Sequence, residues 1–240
     1  MALPQTFALA CLLLLLCLAT SFTRPPAAAR QSRRVVAGAK ANGDYEYSNP
    51  ITKALEAFLP APTASNSPIA AADVRRPKRR KTSLKALAND LNKALSDAEW
   101  FVTGKVDTTF FADDFRFQDP DVKVTGIMEY AKGVRKLFDQ SCTRGEIISV
   151  TVSDALPNTI TVTWRLEGKV NIGFGVSIKA FVVYTNLEVD SSSGLVVFQE
   201  DKFSLPSYDI LLSAFLPFLT DIGLLAPPAP AADFLRKTLR

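Results

Sequence analysis

Three polar side chains of this sequence are candidates for catalysis or ligand binding. Asp119 precedes Pro120 in a stretch where aromatic and acidic residues alternate, and Gln199 and Asp201 lie two residues apart in a strand-like segment. A carboxylic acid buried beside aromatic rings acquires a raised pKa and can act as a general base. Asp119 and Asp201 are therefore weak catalytic candidates, and Gln199 is a candidate ligand anchor.

Each candidate has a structural alternative. An Asp before Pro often caps a turn by accepting hydrogen bonds from nearby backbone amides, which is the favoured interpretation of Asp119. For Asp201, the opposite strand register would place Glu200 and Lys202 in solvent and pair Asp201 with Arg165 or Lys179. Both registers stay open at this point.

Missing residue types exclude several kinds of site. The sequence has no histidine, which excludes imidazole acid–base catalysis, Ser-His-Asp and Cys-His nucleophiles, and the commonest metal ligand. Cys11 and Cys17 lie in an apolar N-terminal run, so Cys142 is the one cysteine left for the domain. A lone cysteine forms neither an internal disulfide nor a thiolate cluster. We expect no metal, no cofactor and no complete catalytic set.

The aromatic residues on the predicted strands have two possible interpretations: they line a ligand pocket, or they fill the hydrophobic core. Core packing is the more common role of such residues. The pocket interpretation combines them with the polar candidates above. The predicted ligand pocket is Phe117, Asp119, Trp164, Tyr184, Gln199 and Asp201, with Phe174, Phe181, Phe198 and Phe203 as further aromatic candidates.

The elements that must position these residues follow from hydrophobic periodicity. Leucines at helical spacing predict a helix from about residue 83 to Phe101, and a second short helical piece follows over 106–111. Residues 115–118 and 121–125 alternate like short strands around Asp119-Pro120. Gly126 precedes an amphipathic helix of about 15 residues.

A long antiparallel meander follows. Strands are predicted at 147–153, 160–167, 177–189 and 195–205, with a glycine-containing connection over 168–176. Helices followed by such a meander indicate an α+β fold in which a curved sheet wraps around the N-terminal helices. Residues 206–225 are strongly apolar but contain Pro217 and two acids, which argues against a membrane span. They predict an amphipathic helix that closes the fold or contacts a membrane surface, followed by a proline-rich tail.

Residues 1–82 are interpreted as a leader. Residues 7–19 form a short apolar run before Ala19-Thr20-Ser21, typical of a signal peptide over 1–21. Residues 22–41 are rich in Arg and Ala and contain no acid, as in transit peptides. Residues 42–82 are proline-rich and resemble a linker. The basic run at 75–81 indicates either a localisation or polyanion patch or, preferably, a solvated linker.

Charge divides the chain. Residues 1–95 carry 14 Lys/Arg and 5 Asp/Glu, whereas residues 96–240 carry 14 Lys/Arg and 19 Asp/Glu. The net charge of the predicted domain is therefore negative. Nucleic-acid binding relies on clustered Lys and Arg, so we expect no nucleic-acid partner.

The ordered motifs resemble a known family. Phe111-Ala112-Asp113-Asp114, Phe117-Gln118-Asp119-Pro120, Thr125-Gly126, the Trp164 strand and Gln199-Glu200-Asp201 are similar in order to nuclear transport factor 2-like (SnoaL-like) proteins. They look most like the branch labelled domain of unknown function 2358. Phe22 after small residues resembles the bipartite plastid presequence of algae such as diatoms. The family resemblance covers roughly 95–212 and implies a cone-shaped domain, whose bounds we predict as 83–212, with an apolar helix and tail over 213–240. The presequence predicts location in the chloroplast stroma, with secretion or mitochondria as alternatives.

The resemblance leaves three functions open. Catalytic relatives use Asp and His in the cone, and the position where relatives often carry His corresponds to Gln199, which cannot exchange protons at neutral pH. We therefore favour non-catalytic binding of a small hydrophobic ligand or a protein partner. The alternatives are an isomerase or dehydratase that uses a cavity carboxylate, and a homodimeric scaffold.

Overall fold

Hydrophobic spacing places the first helix, and one glutamate ends it. The computed structural model describes residues 45–47, 76–172 and 175–238, all within one compact unit, Gly43–Arg240. Helix α1 (Leu84–Ala98) begins at Ser83, whose hydroxyl accepts a hydrogen bond from the Ala86 amide, and it buries Leu87, Leu91 and Leu95 on one face. The predicted signal peptide and most of the predicted transit segment lie outside the described residues.

The first helix is shorter than predicted. Glu99 adopts a left-handed backbone with φ of 46° and separates α1 from the one-turn helix α2 (Trp100–Thr103). The Glu99 side chain accepts a hydrogen bond from the Gly145 amide at 3.0 Å and pairs with Arg144. These contacts with β4 residues hold the left-handed backbone at Glu99. The spacing of apolar residues around Glu99 does not indicate them.

In the described part of the chain, seven strands form a single sheet. After a 3₁₀ turn over Thr108–Phe110, the chain forms β2 (Phe111–Gln118), β3 (Val122–Thr125) and helix α3 (Ile127–Leu137). The meander follows as β4 (Arg144–Val152), β5 (Thr159–Val170), β6 (Val176–Val189) and β7 (Val196–Phe203). A short first strand, β1 (Tyr45–Tyr47), pairs with β3 and has no counterpart among the predicted strands.

The sheet has the order β1-β3-β2-β7-β6-β5-β4. All neighbours are antiparallel except β2 and β7, which run parallel. The register shifts between β2 and β7, β4 and β5, β5 and β6, and β6 and β7, and such bulges bend a sheet. The predicted connection at 168–176 is in part a continuation of β5, which reaches Val170 past a register shift at Gly168.

Helices cover the concave face of this curved sheet, so the architecture is an α+β cone. Helix α1 packs against β4 and β5, and α3 packs against β2 and β3. The core between them is apolar, and its largest fully buried side chains include Trp100, Phe111, Phe115, Leu91, Leu95, Ile160 and Leu187.

Three further helices follow β7. They are α4 (Ser207–Phe215), α5 (Phe218–Asp221) and α6 (Ala232–Thr238). Helix α6 occupies part of the segment predicted as a tail, and it packs against β4. Arg236 donates to the Ile147 carbonyl through Nε at 3.0 Å and Nη2 at 2.7 Å, which explains how residues beyond the prolines stay on the fold. None of the helices in the described part of the chain combines the length and the apolar character needed to cross a bilayer.

Candidate functional site

Gln199 and Asp201 face the interior of the cone. Residues two apart on a strand point to the same side of the sheet. On β7 that side is the buried one: Gln199 is 0% exposed and Asp201 is 8% exposed. Their partners on β6 are Leu187 and Thr185, which are also buried. Of the two registers left open by the sequence, the structure has the one that directs both side chains inward.

Hydrogen bonds join five buried side chains from four elements into one cluster. The Thr185 hydroxyl donates to Asp201 Oδ1 at 2.7 Å and accepts from Trp164 Nε1 at 2.9 Å. Gln199 Nε2 donates to the same Asp201 oxygen at 3.1 Å and to the Tyr130 hydroxyl at 3.2 Å. We call Tyr130, Trp164, Thr185, Gln199 and Asp201 the interior polar cluster.

One atom of this cluster lacks a partner. Gln199 Oε1 is buried and makes no hydrogen bond within the described part of the chain. Most buried polar atoms in native proteins are hydrogen-bonded, so an unpaired amide oxygen requires a reason. The oxygen is an acceptor that an ordered water or the donor group of another molecule would satisfy.

Burial changes the ionisation of two cluster residues. Removal from water raises the pKa of the Asp201 carboxyl to about 7, against the lowering effect of the hydrogen bonds from Thr185 and Gln199. Burial, and then the negative charge of Asp201, holds the pKa of Tyr130 well above its usual value. Tyr130 therefore stays protonated, and Asp201 exchanges its proton near neutral pH.

Tyr130 was not among the predicted site residues. It lies on α3 among apolar residues at helical spacing, which indicates a core position. Its ring does pack in the core, 4.8 Å from the Phe117 ring and 6.0 Å from the Phe115 ring, measured between centroids. The sequence does contain one signal for Tyr130. A Tyr at a buried helix position carries a hydroxyl that needs a polar partner inside the protein.

Asp119 lies in the turn between β2 and β3. Its Oδ1 accepts from the amides of Asp121 at 2.7 Å and Val122 at 2.6 Å, so Asp119 caps the turn as the structural alternative proposed. Burial nevertheless raises the pKa of Asp119 to about 6; the two amide bonds lower it, and the neighbouring Asp121 charge raises it further. Asp119 thus caps a turn and also has a pKa at which a carboxyl group can transfer protons near neutral pH.

The remaining predicted pocket residues divide between the two faces of the sheet. Phe117 and Trp164 are buried in the interior, as are Phe181 and the partly buried Phe203, whose rings stand 5.5 Å apart. Tyr184 is 42% exposed and pairs with Lys202, so it lies on the outer face, apart from the cluster. Phe198 also lies on the outer face, near the Arg116 guanidinium, and Phe174 lies outside the described residues.

Helix α4 packs against β6 beside this interior. Its Ile210 belongs to the buried core, and its Asp209 forms a buried ion pair with Lys179 of β6. The Ser207 hydroxyl donates to Asp121 Oδ2 at 2.8 Å, which joins the start of α4 to the turn that carries Asp119. The N-terminus of α4 and the Asp119 turn therefore meet at one rim of the cone.

The described residues contain no metal-binding constellation. Within 45–47, 76–172 and 175–238, no three His, Cys, Asp or Glu side chains come together in a way that would hold a metal ion. The interior polar cluster itself offers a carboxyl group, a phenol, an amide, a hydroxyl and an indole N–H, which supply proton exchange, hydrogen-bond donation and hydrogen-bond acceptance.

Comparison with known proteins shows similarity of fold. No protein-family model and no curated protein matches the chain. Among solved structures, a proposed SnoaL-like polyketide cyclase from Jannaschia sp. CCS1 matches 57% of this chain and 96% of its own, with 16% identity and a TM-score of 0.41. A protein with a ketosteroid isomerase-like fold from Catenulispora acidiphila, solved with trimethylamine, matches 53% of this chain and 94% of its own, with 17% identity and a TM-score of 0.40.

A third structure belongs to the same group. A nuclear transport factor 2-like protein of unknown function from Cytophaga hutchinsonii matches 52% of this chain and 94% of its own, with 11% identity and a TM-score of 0.36. The three structures carry nuclear transport factor 2-like, SnoaL-like and ketosteroid isomerase-like descriptions, and all three TM-scores lie between 0.36 and 0.41. At these identities the similarity concerns the fold alone.

Proposed function

We propose that the cone binds a small, mainly apolar molecule whose polar group sits against the interior polar cluster. The observation that carries this proposal is the unpaired Gln199 Oε1 in a cluster that is otherwise hydrogen-bonded. Leaving a buried acceptor unsatisfied costs about 1–3 kcal/mol. Proteins retain such local violations chiefly where function requires them.

The cluster favours a ligand with a hydrogen-bond donor. Gln199 Oε1 can only accept, so the ligand group beside it would be a hydroxyl, an amide N–H or an amine. The surrounding interior side chains are apolar, among them Phe117, Val183 and Leu187. A hydrophobic body with one donor therefore matches the chemistry better than a charged or strongly polar metabolite.

Helix α4 is the element that would admit the ligand. It packs against β6 beside the cluster, and its movement would break the Lys179–Asp209 pair and the Ser207–Asp121 hydrogen bond. Displacement of one helix requires less rearrangement than opening the sheet, whose strands are joined along their length.

Native mass spectrometry of the full-length protein from its native host tests this proposal. We expect a bound mass on the order of a few hundred daltons, typical of small-molecule ligands. Gln199→Leu should lose the bound mass, whereas Glu200→Gln, the next residue on the outer face, should keep it. A ligand-free mass for the unaltered protein would contradict the proposal.

A second candidate function is catalysis of the isomerase or dehydratase type. It is favoured by one observation: two carboxyl groups, Asp119 and Asp201, have raised pKa values of about 6 and about 7. Such groups can take up and release protons at neutral pH. Incubating the ligand identified by mass with the protein and following its conversion by chromatography tests this idea. Full activity in both Asp119→Asn and Asp201→Asn would contradict it.

We also propose that the chain belongs to the domain-of-unknown-function-2358 branch and functions in the plastid stroma. The support lies in the sequence: an apolar run, Phe22 after small residues, and an acid-free, Arg-containing segment over 22–41. Residues 1–82 fused to a fluorescent protein in a diatom should direct it to the stroma. Fluorescence in the secretory pathway or in mitochondria would contradict the plastid proposal.

Residues 206–225 are proposed as a peripheral membrane contact. Four large apolar side chains in this segment are exposed: Tyr208, Phe218, Ile222 and Leu224. Adjacent exposed apolar side chains commonly mark interaction surfaces. Flotation with neutral galactolipid vesicles should carry the protein upward, and Phe218→Ser with Ile222→Ser should abolish this flotation.

The homodimer remains a prediction, and the mass of the protein in solution tests it.

A further inference from the structure

The basic run at 75–81 lies against the domain. Its described part, 76–81, contacts α1, the 3₁₀ turn, β2 and the β6–β7 turn. The sequence interpretations treated this run either as a localisation patch or as a solvated linker. The contacts of Lys78 and Arg79 fit neither interpretation, because a patch and a linker both require side chains that are free in solvent; Arg80 and Lys81 are exposed, as both interpretations expect.

Lys78 is held by backbone carbonyls. Its ammonium donates to the Phe111 carbonyl at 2.8 Å and the Thr108 carbonyl at 3.4 Å, and it pairs with Asp113 at 2.9 Å. An ammonium has three donors, and each has an acceptor here. Two of these acceptors belong to the main chain, so the contact depends on the fold and not only on charge.

Arg79 is held by its backbone and its side chain. Its amide donates to the Thr109 carbonyl at 3.1 Å, and its guanidinium donates to Asp90 on α1 at 2.8 Å. The same guanidinium lies 4.1 Å from the centroid of the Phe110 ring, a cation–π geometry. Arg79 thus bridges α1 and the 3₁₀ turn that precedes β2.

Both ends of the segment also contact the rest of the domain. Arg76 lies 3.7 Å from Asp107. At the other end, the backbone of Lys81 passes so close to Gly194 that a Cβ added there would be 2.9 Å from the Lys81 Cα. Gly194 has a φ of 73°, so both its conformation and its missing side chain suit this approach.

We propose that residues 76–81 form a strap that fastens the basic run to the folded domain through Lys78 and Arg79. These two side chains are half-buried against carbonyls, acids and the Phe110 ring, so their cations become fully available to an acidic macromolecule only before the domain folds or when the strap is released. Arg76, Arg80 and Lys81 are exposed in the folded domain. The run is therefore a conditional basic motif at Lys78 and Arg79, and the folded domain includes residues before 83.

Limited trypsin digestion tests the strap directly, because Lys78, Arg79, Arg80 and Lys81 are all trypsin sites. Proteolysis of a protected segment follows the population of its open form. Cleavage within 78–81 of the native full-length protein should be at least roughly tenfold slower than in a synthetic peptide of residues 70–86. Equal rates would overturn the proposal.

A charge-matched pair of variants tests which contacts hold the strap. Asp90→Asn with Asp113→Asn removes two acids that contact it, whereas Asp97→Asn with Asp114→Asn removes two acids for which no strap contact is seen. The first variant should be cleaved several-fold faster than the second and should elute from heparin, our polyanion probe, at higher salt. Identical cleavage and elution of the two variants would show that Asp90 and Asp113 do not hold the strap, and would overturn the proposal.

Discussion

Thr185 and Asp201 lie directly opposite each other on β6 and β7, and the Thr185 hydroxyl donates a 2.7 Å hydrogen bond to Asp201 Oδ1. The same hydroxyl accepts from Trp164 Nε1, so its single proton is committed to Asp201. Gln199 donates to this carboxyl oxygen as well. A proton taken up by Asp201 therefore resides on Oδ2, which leaves Oδ1 as a fixed acceptor.

Thr185→Val should destabilise the domain. Valine keeps the shape but removes the hydroxyl, which leaves Trp164 Nε1 without an acceptor and takes one donor from Asp201. We expect the free energy of unfolding to fall by about 1–3 kcal/mol in urea denaturation. Thr161→Val is the control, because its hydroxyl bonds to Asn186 on the outer face, where water can replace it. Equal losses in the two variants would contradict this account.

Stability should decrease as pH rises from about 4 to about 7. The pKa of Asp201 is about 7 in the folded protein and about 3.8 in the unfolded chain, so the folded state binds the additional proton in this range. The expected slope is about 1.4 kcal/mol per pH unit for one such group. Asp119 adds a similar slope up to its folded pKa of about 6.

Asp201→Asn isolates the contribution of Asp201 to this slope. Asparagine retains an oxygen that accepts from Thr185 and Gln199, and it cannot ionise. Urea denaturation at a series of pH values should show a slope reduced by one proton, with the variant gaining on the unaltered protein toward pH 8. An unchanged slope would mean that Asp201 is not the titrating group.

The buried ion pair on α4 should behave as a coupled unit. Lys179→Met leaves Asp209 buried without its cation, which typically costs about 3–5 kcal/mol. Lys179→Met combined with Asp209→Leu should recover much of that loss, because neither side chain then carries a buried charge. A double-mutant cycle measured by denaturation gives the coupling, and additive losses would contradict it.

Arg236→Ala should loosen α6 from the edge strand β4. The variant removes two hydrogen bonds to the Ile147 carbonyl, beside a register shift in β4, and we expect a loss of about 1–3 kcal/mol. Hydrogen exchange should rise in Arg144–Val152. Lys237→Ala, at the exposed neighbouring position, should change neither quantity. Unchanged exchange in Arg236→Ala would show that α6 is held by other contacts.

Much of the fold could be predicted from local pattern. Alternation of Ile160, Val162 and Trp164 with polar residues places β5 and its inward face, and helical spacing of leucines places α1. The parallel pairing of β2 with β7 could not be predicted, because the partners are far apart in sequence. The break at Glu99 likewise depends on a contact with β4.

The site was predicted in part, for physical reasons. Gln199 and Asp201 stand out because polar residues interrupt an apolar strand. Tyr184 was grouped with them because β6 is apolar on both faces nearby: Ala180 and Val182 are buried on the outer side as well. The Ala229 amide donates to the Ala180 carbonyl, so the C-terminal segment runs beside this part of β6. The alternation of apolar and polar residues does not indicate which side chains point inward where both faces of a strand are covered.

The parallel contact between β2 and β7 has a consequence for how the chain acquires its structure. β2 is among the first strands of the domain to be synthesised and β7 is the last, so the centre of the sheet closes only when both are present. Contacts between distant parts of a chain slow folding, since a large loop must be ordered first. A growing chain that lacks β7 therefore cannot join β2 to β6, and completion of the sheet waits for the C-terminal third of the chain.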